Sequence, residues 1–193
     1  MLAAPDPIAC GLFLIAAFVL AGIAQTAWFR SPWSAAFAAP LDAGITLRGR
    51  RLFGENKALR GVVVMVPAAA AAFAVLALLA GEKISDLLWP LSAVEYAALG
   101  AWAGLGFMLG ELPNSFAKRQ LGISPGGAAA SRPGAVLQFA IDRTDSALGM
   151  LLALSVVVPV PPGTWTIVLL AGTPLHWGFS VLLYQLGLKA RPV

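Results

Sequence analysis

Residues 140–151 read AIDRTDSALGML and set Asp142, Arg143 and Asp145 at the edge of a run that otherwise suits hydrocarbon. Charge at membrane depth is costly, and where it occurs it usually faces a polar cavity and marks a working site. Whether that rule applies depends on the surroundings. The chain has 193 residues, 59% hydrophobic and 11% charged, with a mean hydropathy of +0.82. Ordinary soluble domains carry about 25% charged residues, so the composition is that of an integral membrane protein. Cys10 is the only cysteine, which excludes an intramolecular disulfide and a cysteine-based metal cluster.

Working outward, five stretches approach the roughly 20 apolar residues that a crossing needs. They are residues 8–29, 61–80, 93–110, 133–158 and 163–186. The expected fold is an all-α polytopic bundle of about five transmembrane helices in a single domain, 1–193. The first stretch has no basic region before it and is long for a signal peptide, so it reads as a retained span. Pro67 implies a kink in the second. Gly100, Gly104 and Gly106 leave room for close helix contact in the third. The Gly/Pro/Ser-rich segment 122–134 reads as a loose connector.

Charge orients the set. On this reading twelve of the thirteen basic residues fall on one side, leaving Lys83 alone on the other. The positive-inside rule then puts the N-terminus outside and the C-terminus in the cytoplasm, in a multi-pass protein of the cytoplasmic membrane. Basic residues that hug membrane boundaries make a nucleic-acid partner the wrong expectation.

Four polar stretches need explaining. Asp142 and Asp145 lie three apart, on one helix face one turn apart. Two such carboxylates repel each other, and either a divalent cation or pairing with Arg143 or another arginine would relieve them. In GELPNSFAKRQLG (110–122), Glu111 closes the third span and Pro113 disfavours helix at Leu112. A bend is expected there, with Ser115, Lys118 and Arg119 on a short separate helix ended by Gly122. A carboxylate beside a Lys-Arg pair suits a phosphate and its metal, or headgroup anchoring. RGRRLFGENKALRG (48–61) packs five basic residues among glycines, suited to anions although it lacks a Walker signature. Last, His176 is the only histidine, within a span and near Ser180 and Tyr184; a structural hydrogen bond and a ligand role both remain open for it.

Taken together, LDAGITLRGRRLFGENKALRG (41–61), GELPNSFAKRQLGISPG (110–126), IDRTDSALG (141–149) and the stretch from His176 through YQLGLKARP (184–192) resemble the CDP-archaeol synthase family. That family belongs to the membrane CTP:lipid-phosphate cytidylyltransferases, which include phosphatidate cytidylyltransferase. The match covers residues 41–193 and leaves 1–40 without a family motif. Glu111 stands where the family commonly has Asp, Ala58-Leu59 where Thr-Trp is usual, and Ser180 where Asn is usual.

The resemblance implies CMP transfer from CTP to a lipid phosphate monoester, of archaetidic or phosphatidic acid type, with release of pyrophosphate. It implies Mg²⁺ held by Glu111, Asp142 and Asp145, with Lys118 and Arg119 at the leaving pyrophosphate. Asp42, Arg50, Arg51, Lys57, Arg60, Ser115, His176 and Lys189 are the implied contacts to CTP or lipid, undivided between the two. CTP, the lipid phosphate and the bilayer are the expected partners, and a homodimer is left open. A small transporter or flippase using the same carboxylates is the competing class. Against it, no inverted repeat is visible, and the polar groups gather on one side. A CDP-alcohol phosphotransferase lacks support because its longer aspartate-rich motif is absent.

Overall fold

The fold is known from a computed structural model that describes residues 3–81 and 86–188. Five long helices dominate: α1 (Pro7–Arg30), α2 (Leu59–Ala80), α3 (Ala93–Gln120), α4 (Arg132–Val157) and α5 (Pro162–Gln185). A 3-10 helix (Pro32–Phe37) follows α1. Starts are set by local chemistry. Asp6 accepts from the backbone N–H of Ile8 at 3.0 Å and Ala9 at 2.8 Å to cap α1. Ser92 and Glu95 form a reciprocal capping box on α3, and Ser131 caps α4.

Two expectations need correction. The third predicted span does not bend at Leu112, because α3 runs on through Pro113 to Gln120. A proline inside a packed membrane helix removes one hydrogen bond without ending the helix when neighbours compensate. The continuation places Glu111, Asn114, Ser115 and Lys118 at i, i+3, i+4 and i+7 of one helix, hence along one face. The second correction concerns span count. Among the described residues, four helices (α1, α2, α3 and α5) are long and apolar enough to cross a membrane. Helix α4 has 26 residues, but its middle carries Asp142, Arg143 and Asp145. It nevertheless packs between α3 and α5.

The five helices close into a ring: α3 packs on α2 and α4, α1 on α2 and α5, and α4 on α5. Its outer faces show Leu78, Leu79, Val94, Val156 and Leu170, as lipid contact requires. One end is latched shut. Fully buried Trp89 donates its indole N–H to the Pro159 carbonyl at 2.9 Å, and Tyr96 donates its hydroxyl to the Trp89 carbonyl at 2.8 Å. Thr164 ties α5 to the Pro7 carbonyl at 3.1 Å. The other end carries the polar residues.

Over that polar end lies the loop from the 3-10 helix to α2, which contains a short β-hairpin. Thr46–Leu47 and Arg50–Arg51 pair antiparallel around Arg48 and Gly49, whose φ values of 52° and 76° match a two-residue hairpin turn. Asp42 organises this loop. Its Oδ1 accepts from Gly44 N at 3.2 Å and from an Arg51 guanidinium nitrogen; its Oδ2 accepts from Arg51 Nε at 3.2 Å, Phe53 N at 3.1 Å and Gly54 N at 3.0 Å. The Arg51 hydrogen bonds hold this carboxyl well below the usual range, against the opposing effect of burial. A carboxyl that ionises below its unfolded value of about 3.9 contributes fully above that pH and loses its contribution only as pH falls further.

Close approach of α3 and α4 depends on glycine. A Cβ on Gly149 would lie 2.3 Å from the Gly106 carbonyl oxygen and 2.5 Å from Gly110 Cα. Those are backbone atoms that no side-chain rotation can move.

Two predictions follow from these contacts. Asp42→Asn directs an N–H at another donor in either amide orientation, so it lowers stability by about 2–4 kcal/mol. The loss is equal at pH 6 and pH 8 by thermal unfolding in detergent; a wild-type melting curve would contradict this role. Gly149→Ala lowers stability by about 3 kcal/mol or more by forcing α3 and α4 apart. By contrast, Gly178→Ala on α5, where the added Cβ meets nothing within 4 Å, leaves stability equal or raises it by up to about 1 kcal/mol.

Candidate active site

The α3–α4 crossing delivers the opening motif to its partners. Gln138, Asp142, Asp145 and Gly149 follow one face of α4, and that face meets the Glu111–Asn114–Lys118 face of α3. A single amide bridges the acidic pair: Asn114 Nδ2 donates to Asp142 Oδ1 at 2.6 Å and to Asp145 Oδ2 at 2.7 Å. Lys118 Nζ lies 2.5 Å from Asp142 Oδ1. Gln138 reaches Asp142 Oδ2 at 3.5 Å while pinning the 122–131 connector through the Gly127 carbonyl and the Ala129 N–H, each at 2.8 Å. Asp145 has no ion pair among the described residues; it accepts from Asn114 and, at 2.7 Å, from the Ser146 N–H. Pairing of the carboxylates with Arg143, one reading of the sequence, does not occur: the partners are a lysine and an asparagine.

Glu111 stands one hydrogen-bonding step away. Ser146 donates its hydroxyl to Glu111 Oε1 at 2.7 Å, and Lys57 from the overlying loop pairs with Oε2. Burial acts to lower the Lys57 pKa, but Glu111, Asp145 and Asp142 outweigh it and raise the value, so the ammonium stays charged at neutral pH. Among the described residues no three His, Cys, Asp or Glu side chains converge on one point. Mg²⁺ does not require that. It commonly takes one or two carboxylates and completes its shell with water and substrate phosphates. The two oxygens bridged by Asn114 are hard donors of the suitable kind.

The basic candidates have distinct positions. Arg119 is buried at the C-terminal end of α3 beneath Gly54, and its Nε meets no acceptor among the described residues. Arg50 donates to the Gln120 carbonyl at the end of α3, and Gln120 Nε2 reaches the Arg51 carbonyl at 3.4 Å, so the hairpin is docked on that helix end. Arg51 and Asp42 hold the loop together. Arg60 sits over the Phe29 ring at 5.1 Å, where it joins α2 to α1. Ser115 is buried on α3. Lys189 lies outside the described residues.

A cavity of about 150 Å³ occupies the inside of the helix ring. Its walls include Leu14, Phe18, Met150, Val168 and Phe179, and its polar lining includes Glu111, Arg143, Ser146 and His176, with Gln25, Thr26 and Ser180. The sequence reading missed Asn114, Gln138 and Ser146. Asn114 and Ser146 lie three and thirty-five positions from Glu111, and only a continuous α3 makes the first spacing meaningful.

Known proteins share this arrangement of chain. The family described as CarS-like: CDP-archaeol synthase matches residues 33–193. The CDP-archaeol synthase of Methanopyrus kandleri is 36% identical over 156 residues, covering 79% of each chain. That of Aeropyrum pernix is 34% identical over 159 residues, covering 79% of this chain and 78% of its own. That of Halobacterium salinarum is 33% identical over 159 residues, covering 79% and 82%. A solved structure of an intramembrane enzyme for archaeal membrane lipids biosynthesis superposes with a TM-score of 0.60 at 26% identity, covering 85% of this chain and 90% of that one. This is a multi-pass membrane protein, and the chain belongs to the CDP-archaeol synthase family.

Proposed function

We propose that this protein transfers CMP from CTP to a lipid phosphate monoester of the archaetidic acid type, giving a CDP-lipid and pyrophosphate. Family membership and the names of the relatives support the reaction. The observation that carries the site assignment is the Asn114-bridged pair of carboxylates, of which Asp145 has no ion pair among the described residues, beneath a loop that brings in Lys57. In the reaction an oxygen of the lipid phosphate attacks the α-phosphorus of CTP, and the bond from that phosphorus to the bridging oxygen of the β-phosphate breaks. The second pKa of a phosphate monoester is near 6, so the nucleophile is largely ionised at pH 7 and needs no strong base. The barrier is repulsion between anions, which makes catalysis a matter of charge neutralisation and alignment.

Each residue then has a task that its position allows. Asp142 and Asp145 would hold Mg²⁺, which when bound supplies Lewis-acid charge to the triphosphate. Asn114 keeps the two carboxylates at a fixed separation. Lys118 and Arg119, at the end of α3, are placed to take up charge on the departing pyrophosphate. Lys57 holds Glu111 and closes the loop over the site. The polar end of the ring lies on the cytoplasmic side, where the basic residues of the 30–60 loop collect, with the N-terminus outside. The family match and its CDP-archaeol synthase relatives favour an enzyme over a transporter.

Purified protein supplied with CTP and ether-linked or ester-linked lipid phosphates should form CDP-lipid, read by mass spectrometry, only when a divalent cation is present. Absence of CTP consumption with every lipid would overturn the reading. Asp142→Asn and Asp145→Asn should each lower turnover by about a thousandfold or more, on the scale of losing a principal charge stabiliser, in protein that still melts cooperatively. Full turnover in both would contradict the assignment.

A further inference from the structure

Helix α4 has two working sides. Asp142, Asp145 and Gly149 face α3, whereas Arg143, Ser146, Ala147 and Met150 line the internal cavity. Arg143 is the anomaly on that second side. It is 6% exposed, and its Nη1 donates to the Phe139 carbonyl one turn back at 3.0 Å. Its guanidinium carbon lies 3.3 Å from the centroid of the Phe139 ring, which fixes its plane. Its Nε meets no acceptor, and it forms no ion pair among the described residues. Glu111, the carboxylate on the same cavity wall, is already engaged by Lys57 and Ser146.

A guanidinium carries five donors and keeps its charge at any physiological pH. Asp142 acts on that of Arg143 electrostatically from the α3-facing side but makes no ion pair with it, being taken by Asn114 and Lys118. A guanidinium buried without an anion in contact is costly, so the arrangement calls for one that arrives with a ligand. The rest of the cavity narrows the class. Leu14, Phe18, Val168, Phe179 and Leu183 form an apolar wall that suits alkyl chain, while Gln25, Thr26, His176 and Ser180 add polar groups that suit the ester or ether end of a lipid. The cavity's volume of about 150 Å³ is enough for the head-proximal part of a lipid. The Ser146 hydroxyl, 2.7 Å from Glu111 Oε1 and 3.3 Å from Asp145 Oδ1, links this side of α4 to the acidic pair on the other.

We propose that Arg143 binds the phosphate monoester of the lipid substrate, bidentately through its fork of N–H groups, while the first part of the alkyl portion occupies the cavity. This division sends the nucleotide to the Lys118–Arg119 side of α4 and the lipid to the Arg143 side. It rests on the transfer reaction proposed above.

The test compares wild type, Arg143→Gln and Arg143→Lys in detergent. With CTP saturating and dialkylglycerol phosphate varied, Arg143→Gln raises the lipid KM at least 30-fold and leaves the KM for CTP within twofold. Arg143→Lys, which keeps charge and loses the fork, falls between. Without CTP, dialkylglycerol phosphate raises the melting temperature of wild type, while the uncharged dialkylglycerol and inorganic phosphate do not. That shift disappears in Arg143→Gln and is diminished in Arg143→Lys, which serves as the readout if the glutamine variant does not fold. A raised KM for CTP with an unchanged lipid KM, or unchanged values for both, would overturn the proposal, as would an equal shift from inorganic phosphate. If wild type forms no CDP-lipid, the transfer reading fails, and the CTP-free shifts still decide whether Arg143 recognises a lipid phosphate.

Discussion

Each carboxylate oxygen held inside a ring of lipid-facing helices needs a proton donor or a cation, because hydrocarbon supplies neither. That requirement on Asp142, Asp145 and Glu111 shapes most of the polar end. The glycines at 106, 110 and 149 let α3 and α4 approach until Asn114 can span both aspartates. Lys118 comes from the same helix as Asn114, about one turn further on, and Lys57 is sent in from the loop to meet Glu111. Two of the three carboxylates thereby gain a lysine. Asp145 does not, and the imbalance leaves one place where added positive charge is favoured.

The loop that supplies Lys57 is itself built around a buried carboxylate. Asp42 gathers three backbone N–H groups and Arg51, and the hairpin this creates seats Arg50 on the last carbonyls of α3. Asp42 and Arg51 thus shape the cover of the site, whereas Lys57, Lys118 and Arg119 face its chemistry. The same segment of sequence holds both kinds of residue, and only burial separates them.

Much of the helical frame was legible because apolar run length is a strong signal. Predicted spans 8–29, 61–80, 133–158 and 163–186 lie within two residues of the observed helix ends. The third failed at Pro113, where a local rule about the residue before proline was outweighed by packing of α3 between α2 and α4. That miss hid Asn114, whose importance depends on sharing a face with Glu111 and Lys118. The acidic pair stood out through its cost in an apolar setting. Its partners did not, since an amide such as Asn114 or Gln138 carries no charge to betray it. Contacts between distant segments, such as Lys57 with Glu111, leave no spacing to read. The Asp42–Arg51 pair was visible only as two polar residues in a basic loop.

A crystal of the protein grown with CTP and Mn²⁺ in place of Mg²⁺, with data collected at the manganese absorption edge, tests the central claim directly. The account predicts an anomalous peak bonded to oxygens of both Asp142 and Asp145 and to the triphosphate, with the Asn114 amide displaced from between them. A peak held elsewhere, with the two aspartates still closed around Asn114, would contradict it.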